Sequence, residues 1–184
     1  MFLTDTEHSD MFEYLNNNLE FYPKEMTQVT VRGNKYNIAR DQVAYGEKGL
    51  SYSFSGTNIP AINWNKKGKI EKIIRTIRDK VNKITGKNYN FVLINRYNNG
   101  KEYIGYHKDK TNDLVNNPDI IGVNLGATRI MGFQHDNKQM VKINLKGGSM
   151  VIIKNPTNKF WKHSILKTTQ QVGPRISLTF RIMK

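Results

Sequence analysis

Two of the chain's four histidines, together with one aspartate, have the types and spacing of a metal site. His107 and Asp109 stand two residues apart in Ile104-Gly105-Tyr106-His107-Lys108-Asp109, a stretch that reads as a strand. Alternation along a strand directs both side chains to one face. His163 lies far downstream in Phe160-Trp161-Lys162-His163-Ser164-Ile165, also strand-like. Two imidazoles and one carboxylate make the facial triad of a non-haem Fe(II) centre, with three positions open for a co-substrate and oxygen. A His-x-Asp triplet is common by chance, so the weight falls on what accompanies it.

The accompaniment is the C-terminal run Arg175-Ile176-Ser177-Leu178-Thr179-Phe180-Arg181. It alternates with period two, which puts Arg175, Ser177, Thr179 and Arg181 on one face and Ile176, Leu178, Phe180 and Ile182 on the other. Two guanidinium groups on a buried face need an anion. Guanidinium is the side chain best shaped to hold a carboxylate through two parallel hydrogen bonds. A dicarboxylate co-substrate beside a three-ligand iron would supply that anion.

With Asn95-Arg96-Tyr97 upstream, this set resembles the AlkB family of Fe(II)- and 2-oxoglutarate-dependent nucleic-acid dealkylases, and within it the eukaryotic DNA-repair branch. The resemblance extends through Phe91-Val92-Leu93-Ile94-Asn95-Arg96-Tyr97, Leu125-Gly126-Ala127-Thr128-Arg129, Asn155-Pro156-Thr157-Asn158 and Gly173-Pro174-Arg175. Tyr45-Gly46 and Tyr52-Ser53-Phe54-Ser55-Gly56 carry it across nearly the whole chain.

The resemblance implies that His107, Asp109 and His163 hold Fe(II), with O2 as oxidant. It implies that Arg175 pairs with the distal carboxylate of 2-oxoglutarate and that Asn95, Tyr97 and Thr179 hydrogen-bond that co-substrate. Arg181 either secures its other end or orients Asp109. Ser177 replaces the Asn common at its place, and its hydroxyl still donates over a shorter reach. The segment around Tyr52, Ser53 and Phe54 is implied to form a lid over the target base, with Tyr52 contacting it and Arg32 at the tip of a neighbouring hairpin. The repair branch carries an aromatic wedge where Arg32 stands; a guanidinium can stack or grip a phosphate but is no hydrophobic wedge. Lys110 and Thr111 stand where acids commonly follow the metal aspartate, and Asp113 is the next acid along. The implied reaction is demethylation of 1-methyladenine and 3-methylcytosine in DNA, giving formaldehyde, succinate and CO2. The same chemistry on RNA or protein, or a catalytically silent nucleic-acid-binding module, are the alternatives.

Composition agrees with a polyanionic partner: net charge is +14 and the isoelectric point is about 9.9. Without cysteine there is neither a disulfide framework nor a thiolate metal site, so a metal must use His and carboxylate. No signal peptide and no membrane-length apolar run is present, so an intracellular monomer is expected, in the nucleus or wherever DNA is kept.

These residues need a frame. The 184-residue chain reads as one domain, with an N-terminal extension over 1–88 and a core over 89–184. Asp10 to Leu15 is expected as a short helix capped by Ser9 or Asp10, with His8 on the surface. Met26 to Arg32 reads as a strand entering a Gly33-Asn34 turn, and 51–56 as a second strand with Tyr52 and Phe54 on one face. Ile70, Ile73, Ile74, Ile77, Val81 and Ile84 follow a helical repeat over 66–85, ended by Gly86, as a buttress for a sheet. Eight strands follow at 91–97, 103–109, 119–125, 129–135, 139–145, 149–154, 161–166 and 175–183. Asn98-Asn99-Gly100, Asn116-Asn117-Pro118, Asp136-Asn137, Gly147-Gly148 and Asn155-Pro156 divide them. The fold class is therefore mainly β with flanking helices, a double-stranded β-helix or jelly roll. His135, at a strand end beside Asp136, reads as a turn histidine. Arg40, Lys48 and Lys101 are candidate phosphate contacts.

Overall fold

The computed structural model describes residues 1–115 and 119–184. In chain order it contains α1 (Asp5–Asn18), a short 3-10 turn (Lys24–Met26), β1 (Val29–Val31), β2 (Asn34–Tyr36), β3 (Asp41–Gly46), β4 (Ser51–Phe54), β5 (Thr57–Pro60), β6 (Ile62–Asn63) and α2 (Lys69–Thr85). The second half holds β7 (Phe91–Tyr97), β8 (Ile104–His107), β9 (Ile120–Gly126), β10 (Arg129–His135), β11 (Met140–Leu145), β12 (Met150–Ile153), α3 (Asn155–Phe160), β13 (Trp161–Ile165) and β14 (Arg175–Arg181).

Two facing sheets build the jelly roll. The larger has six strands in the order β12-β9-β14-β7-β3-β6, the smaller four in the order β11-β10-β13-β8. β14 lies at the heart of the larger sheet, paired antiparallel with β7 on one side and β9 on the other. Its alternation divides two cores. Ile176, Leu178 and Phe180 face outward into a cluster with Leu15 of α1 and Ile74, Ile77 and Val81 of α2. The polar face, Arg175 to Arg181, looks between the sheets into the cavity. Helix α2 thus buttresses the sheet as its periodicity requires, and Gly86 closes it with φ +68°. Ile84 departs from the repeat and is exposed.

Several boundaries differ from expectation, each for a local reason. Helix α1 is longer than 10–15 because Thr4, not Ser9 or Asp10, caps it: Thr4 and Glu7 exchange side-chain and backbone bonds in a capping box. His8 consequently sits inside the helix, where its Nε2 accepts the Gly126 N–H at 2.9 Å. The β1–β2 turn falls on Arg32-Gly33, one residue earlier than expected, with both residues at positive φ (50° and 83°). That is the pattern of a two-residue hairpin whose twist matches its strands. Asn155-Pro156, read as a turn, opens the short helix α3, where proline suits the first turn. β8 stops at His107, so Asp109 lies just beyond the strand. The expected Asn116-Asn117-Pro118 turn lies outside the described residues.

Candidate active site

Strand register brings the three metal-ligand candidates together. β8 and β13 pair antiparallel with His107 opposite His163, and the two rings lie 4.3 Å apart between centroids. Asp109 reaches both: Oδ1 is 3.8 Å from His107 Nε2 and Oδ2 is 3.7 Å from His163 Nε2. One ligand atom from each of the three lies within 4.8 Å of the others. His107 Nδ1 is 2.8 Å from the Gly105 carbonyl, which can only accept, so Nδ1 carries the proton and Nε2 keeps its lone pair for a metal. Burial drives the His163 imidazole down to about 4, against the pull of Asp109, and lowers His107 for the same reason. Both rings are neutral at pH 7, the form that coordinates. Asp109 is buried, and desolvation pulls its carboxyl up, but the net shift is downward, with the Arg181 guanidinium the foremost opposing group.

Asp109 is fixed from two directions. Arg181 Nη2 donates to its Oδ1 at 3.1 Å, so of the two roles open to Arg181 its geometry matches the orientation of the carboxylate. Asn158 of α3 clamps the backbone, accepting the Asp109 N–H at 2.9 Å and donating to its carbonyl at 3.0 Å. Lys108, between the two ligands, turns outward to Asp136 Oδ2 (3.0 Å) and the Lys159 carbonyl (2.7 Å). A cavity of about 790 Å³ opens beside this group, lined by His107, Asp109, His163 and the whole polar face of β14.

The floor of that cavity has unmatched donors. Arg175 is 1% exposed, and its described hydrogen bond runs from Nη2 to Asn124 Oδ1 at 2.6 Å, while Nε and Nη1 are buried without a partner, as is Arg181 Nε. Desolvation pulls the Arg175 guanidinium down to about 10, the mark of a cation in want of an anion. Cross-strand pairs set the surrounding donors: Arg175 faces Tyr97, and Ser177 faces Asn95 on one side and Asn124 on the other. Tyr97 lies under Arg175, 5.3 Å from ring centroid to Cζ. Thr179 lines the same wall. Orphaned buried donors beside a neutral two-imidazole, one-carboxylate set fit both a divalent iron and a dicarboxylate.

The substrate-side residues divide. Tyr52 and Phe54 line the cavity on one face of β4, 5.6 Å apart between ring centroids. Tyr52 is buried, its hydroxyl donates to the Lys110 carbonyl at 3.2 Å, and Arg181 lies 4.4 Å from its ring centroid. Lys110 lines the rim, whereas Ser53 faces away and bonds Asn58. Asp113 accepts the Ser53 N–H at 3.1 Å and is outside the lining. Arg32 sits at its hairpin tip, exposed and off the cavity wall. His135 accepts the Asn137 N–H within its own turn and takes no part in the ligand cluster.

Arg40 is the clear correction. A candidate phosphate contact by sequence, it is 7% exposed inside the cavity, with Nε donating to Asn95 Oδ1 at 2.9 Å; Lys48 and Lys101 are exposed. Sequence reasoning also missed Gln42, Asn124 and Asn158. For Gln42 a signal existed: it follows the alternation of β3, whose neighbours Val43 and Tyr45 face the helices.

A family model described as the 2OG-Fe(II) oxygenase superfamily matches residues 1–181. Proteins named DNA oxidative demethylase ALKBH2 from Bos taurus and Homo sapiens are each 33% identical over 184 residues, covering 95% of this chain and 64% and 68% of theirs. The human alpha-ketoglutarate-dependent dioxygenase alkB homolog 3 is 29% identical over 157 residues, covering 79% of this chain and 52% of its own. The solved structure of OsALKBH1 superposes with a TM-score of 0.60 at 16% identity, over 98% of this chain and 94% of that one, and so shares the fold. The chain belongs to the AlkB family of 2OG-Fe(II) oxygenases, whose cofactors are Fe(II), 2-oxoglutarate and O2. It spans about two thirds of the length of the ALKBH2 relatives it matches, 64% for the bovine protein. No described helix is long and apolar enough to cross a membrane.

Proposed function

We propose that residues 1–184 form one dioxygenase domain that oxidatively demethylates N-methylated bases in DNA. The observation that carries the reading is the adjacency of the His107, Asp109, His163 cluster to a buried, anion-deficient arginine pair on β14. The ALKBH2 and alkB homolog 3 names of its relatives and the basic charge of the chain support DNA as the substrate.

In this reading His107 Nε2, Asp109 and His163 Nε2 hold the iron, and Arg175 takes the distal carboxylate of 2-oxoglutarate through its unpaired Nε and Nη1. Asn95 has its Oδ1 filled by Arg40 and by Gln42 Nε2 (2.8 Å), which leaves its amide nitrogen to donate to the co-substrate. Tyr97, Ser177 and Thr179 supply further donors on the same wall. When bound, the iron with 2-oxoglutarate and O2 supplies an oxidant strong enough for an N-methyl C–H bond, one oxygen atom entering the methyl group and the other the succinate formed with CO2. The N–C bond to the hydroxymethyl group then breaks: formaldehyde leaves, the electron pair stays on the ring nitrogen and the hydroxyl proton is released. Tyr52 and Phe54 roof the pocket that receives the flipped base, and weak pairing of a damaged base lowers the cost of flipping it. The family resemblance implies 1-methyladenine and 3-methylcytosine as lesions. The protein acts as a monomer wherever its DNA lies.

Succinate and formaldehyde are measured with iron and 2-oxoglutarate present, with and without oligonucleotides bearing single N-methylated bases. Formaldehyde stoichiometric with succinate on methylated DNA is the expected result. A folded protein that releases no formaldehyde from any methylated DNA, or only from RNA, overturns the assignment.

A further inference from the structure

We propose that the base pocket prefers an uncharged N-methylated base with a ring carbonyl over the cationic lesions that the family resemblance implies. The inference rests on the demethylase reading and names the substrate class of that same site.

The cavity lining holds Arg40, Lys108, Lys110, Arg175 and Arg181 against a single carboxylate, Asp109. Lys108 is spent outside, on Asp136 and the Lys159 carbonyl. A ferrous ion and a dianionic co-substrate cancel each other, and Asp109 offsets Arg181. Three positive charges remain in the sum, and of the cations that carry them Arg40 and Lys110 are the two committed neither to the co-substrate nor to Asp109. A cationic base entering this pocket meets an excess of like charge in a medium that screens poorly.

Arg40 is the buried member of that pair, inside the cavity, whereas Lys110 is exposed. It is almost fully buried, yet its described side-chain partner is the neutral amide of Asn95. The nearest acid in sequence, Asp41, is consumed by Lys24 (2.8 Å), Arg96 (2.9 Å) and Asn98 (3.0 Å). The acid that could have received a cationic base from the loop, Asp113, is bound to the Ser53 N–H outside the cavity lining. Lys110 stands on the rim instead.

Hydrogen-bond sense points the same way. A guanidinium and an ammonium donate and never accept. They complement a ring carbonyl and oppose an exocyclic amine, and a buried donor left facing another donor discriminates strongly. 3-Methyluracil and 3-methylcytosine form a matched probe pair: they differ only at C4, carbonyl against amine, and the first is neutral where the second is cationic.

The experiment uses the full chain with Fe(II) and 2-oxoglutarate and one single-stranded DNA sequence carrying either base. It reads kcat/KM by formaldehyde release, and Kd by fluorescence anisotropy without oxygen. Methyluracil is expected to exceed methylcytosine at least tenfold in kcat/KM and to bind the tighter of the two. Lys110→Glu and Arg40→Gln are each expected to shift the ratio about tenfold towards methylcytosine. Because Arg40 also touches Asn95, the 2-oxoglutarate affinity of its variant is measured alongside; Lys110→Glu leaves that site alone. A wild-type ratio at or below one overturns the proposal while leaving the demethylase reading intact. Equal weakening of both substrates in Lys110→Glu, with the ratio unchanged, assigns Lys110 to the phosphates and also overturns it. No formaldehyde from either probe overturns the demethylase reading, and the anisotropy ratio then decides the pocket preference alone.

Discussion

The β14 wall, proposed to hold the co-substrate, and the hairpins proposed as a lid are built to opposite standards. Arg175, Ser177, Thr179 and Arg181 sit on the central strand of a six-stranded sheet, paired along its length on both sides. That proposed lid consists of two two-stranded hairpins, β1–β2 and β4–β5, joined by the Thr30 N–H to Ser55 carbonyl bond (2.8 Å), with Val31 and Tyr36 more than half exposed and Arg32 and Ser55 at positive φ. Central strands are held by ladders and packing on both faces, whereas isolated hairpins are marginal by themselves. Chemistry placed on the first is rigid, and recognition placed on the second is free to vary without disturbing it. The two regions meet at Tyr52, whose ring covers Arg181 and whose hydroxyl ties the lid to the loop after Asp109.

Mutations sharpen the contrast. On the rigid side, His107→Ala should remove iron binding, by at least about 100-fold in affinity, while leaving circular dichroism and thermal melting of the metal-free protein in place. Full metal affinity by calorimetry would refute the ligand set. Arg175→Met should weaken 2-oxoglutarate by roughly 30- to 1,000-fold, the cost of about 2–4 kcal/mol for truncating one partner of a buried charge pair. An unchanged 2-oxoglutarate titration would show that another group takes the carboxylate. Asn158→Ala, which removes the backbone clamp on Asp109, should cost about tenfold in iron affinity, in line with outer-shell partners elsewhere. If iron affinity is unmoved, α3 is packing alone.

Acid tests the same wall without mutation. His163 is held neutral down to about 4, whereas the unfolded chain takes up a proton at the ordinary 6.5. Between those values the unfolded state binds more protons, so the stability of the metal-free protein is complete above about 6.5 and declines as pH falls towards 4. His107 contributes in the same direction. Melts at pH 7.5 and 5 should differ in that sense, and His163→Gln should flatten the difference.

On the lid side effects should be small. Arg32→Gly relieves a left-handed non-glycine residue and should leave stability equal or raised by up to about 1 kcal/mol. DNA affinity should fall modestly, with a shallower salt dependence, if the guanidinium meets a phosphate. Loss of 2-oxoglutarate turnover without DNA in this variant would break the separation of the two regions.

Local pattern made much of this legible. Period two on β14 separated the polar cavity face from the apolar helix face, and period 3.6 on α2 marked the buttress. The His107, Asp109, His163 ligand set and the two arginines could be named from residue type and spacing, because each chemistry demands particular groups. Spacing within one strand says which way a side chain points, not which strand lies opposite. The register that sets His107 against His163, and Ser177 between Asn95 and Asn124, came only with tertiary structure. So did the burial of Arg40, whose charge suits a surface but which stands just before β3 with its side chain in the cavity. Depth and pairing arise from contacts far apart along the chain, and the balance of charge around the cavity is set by those contacts.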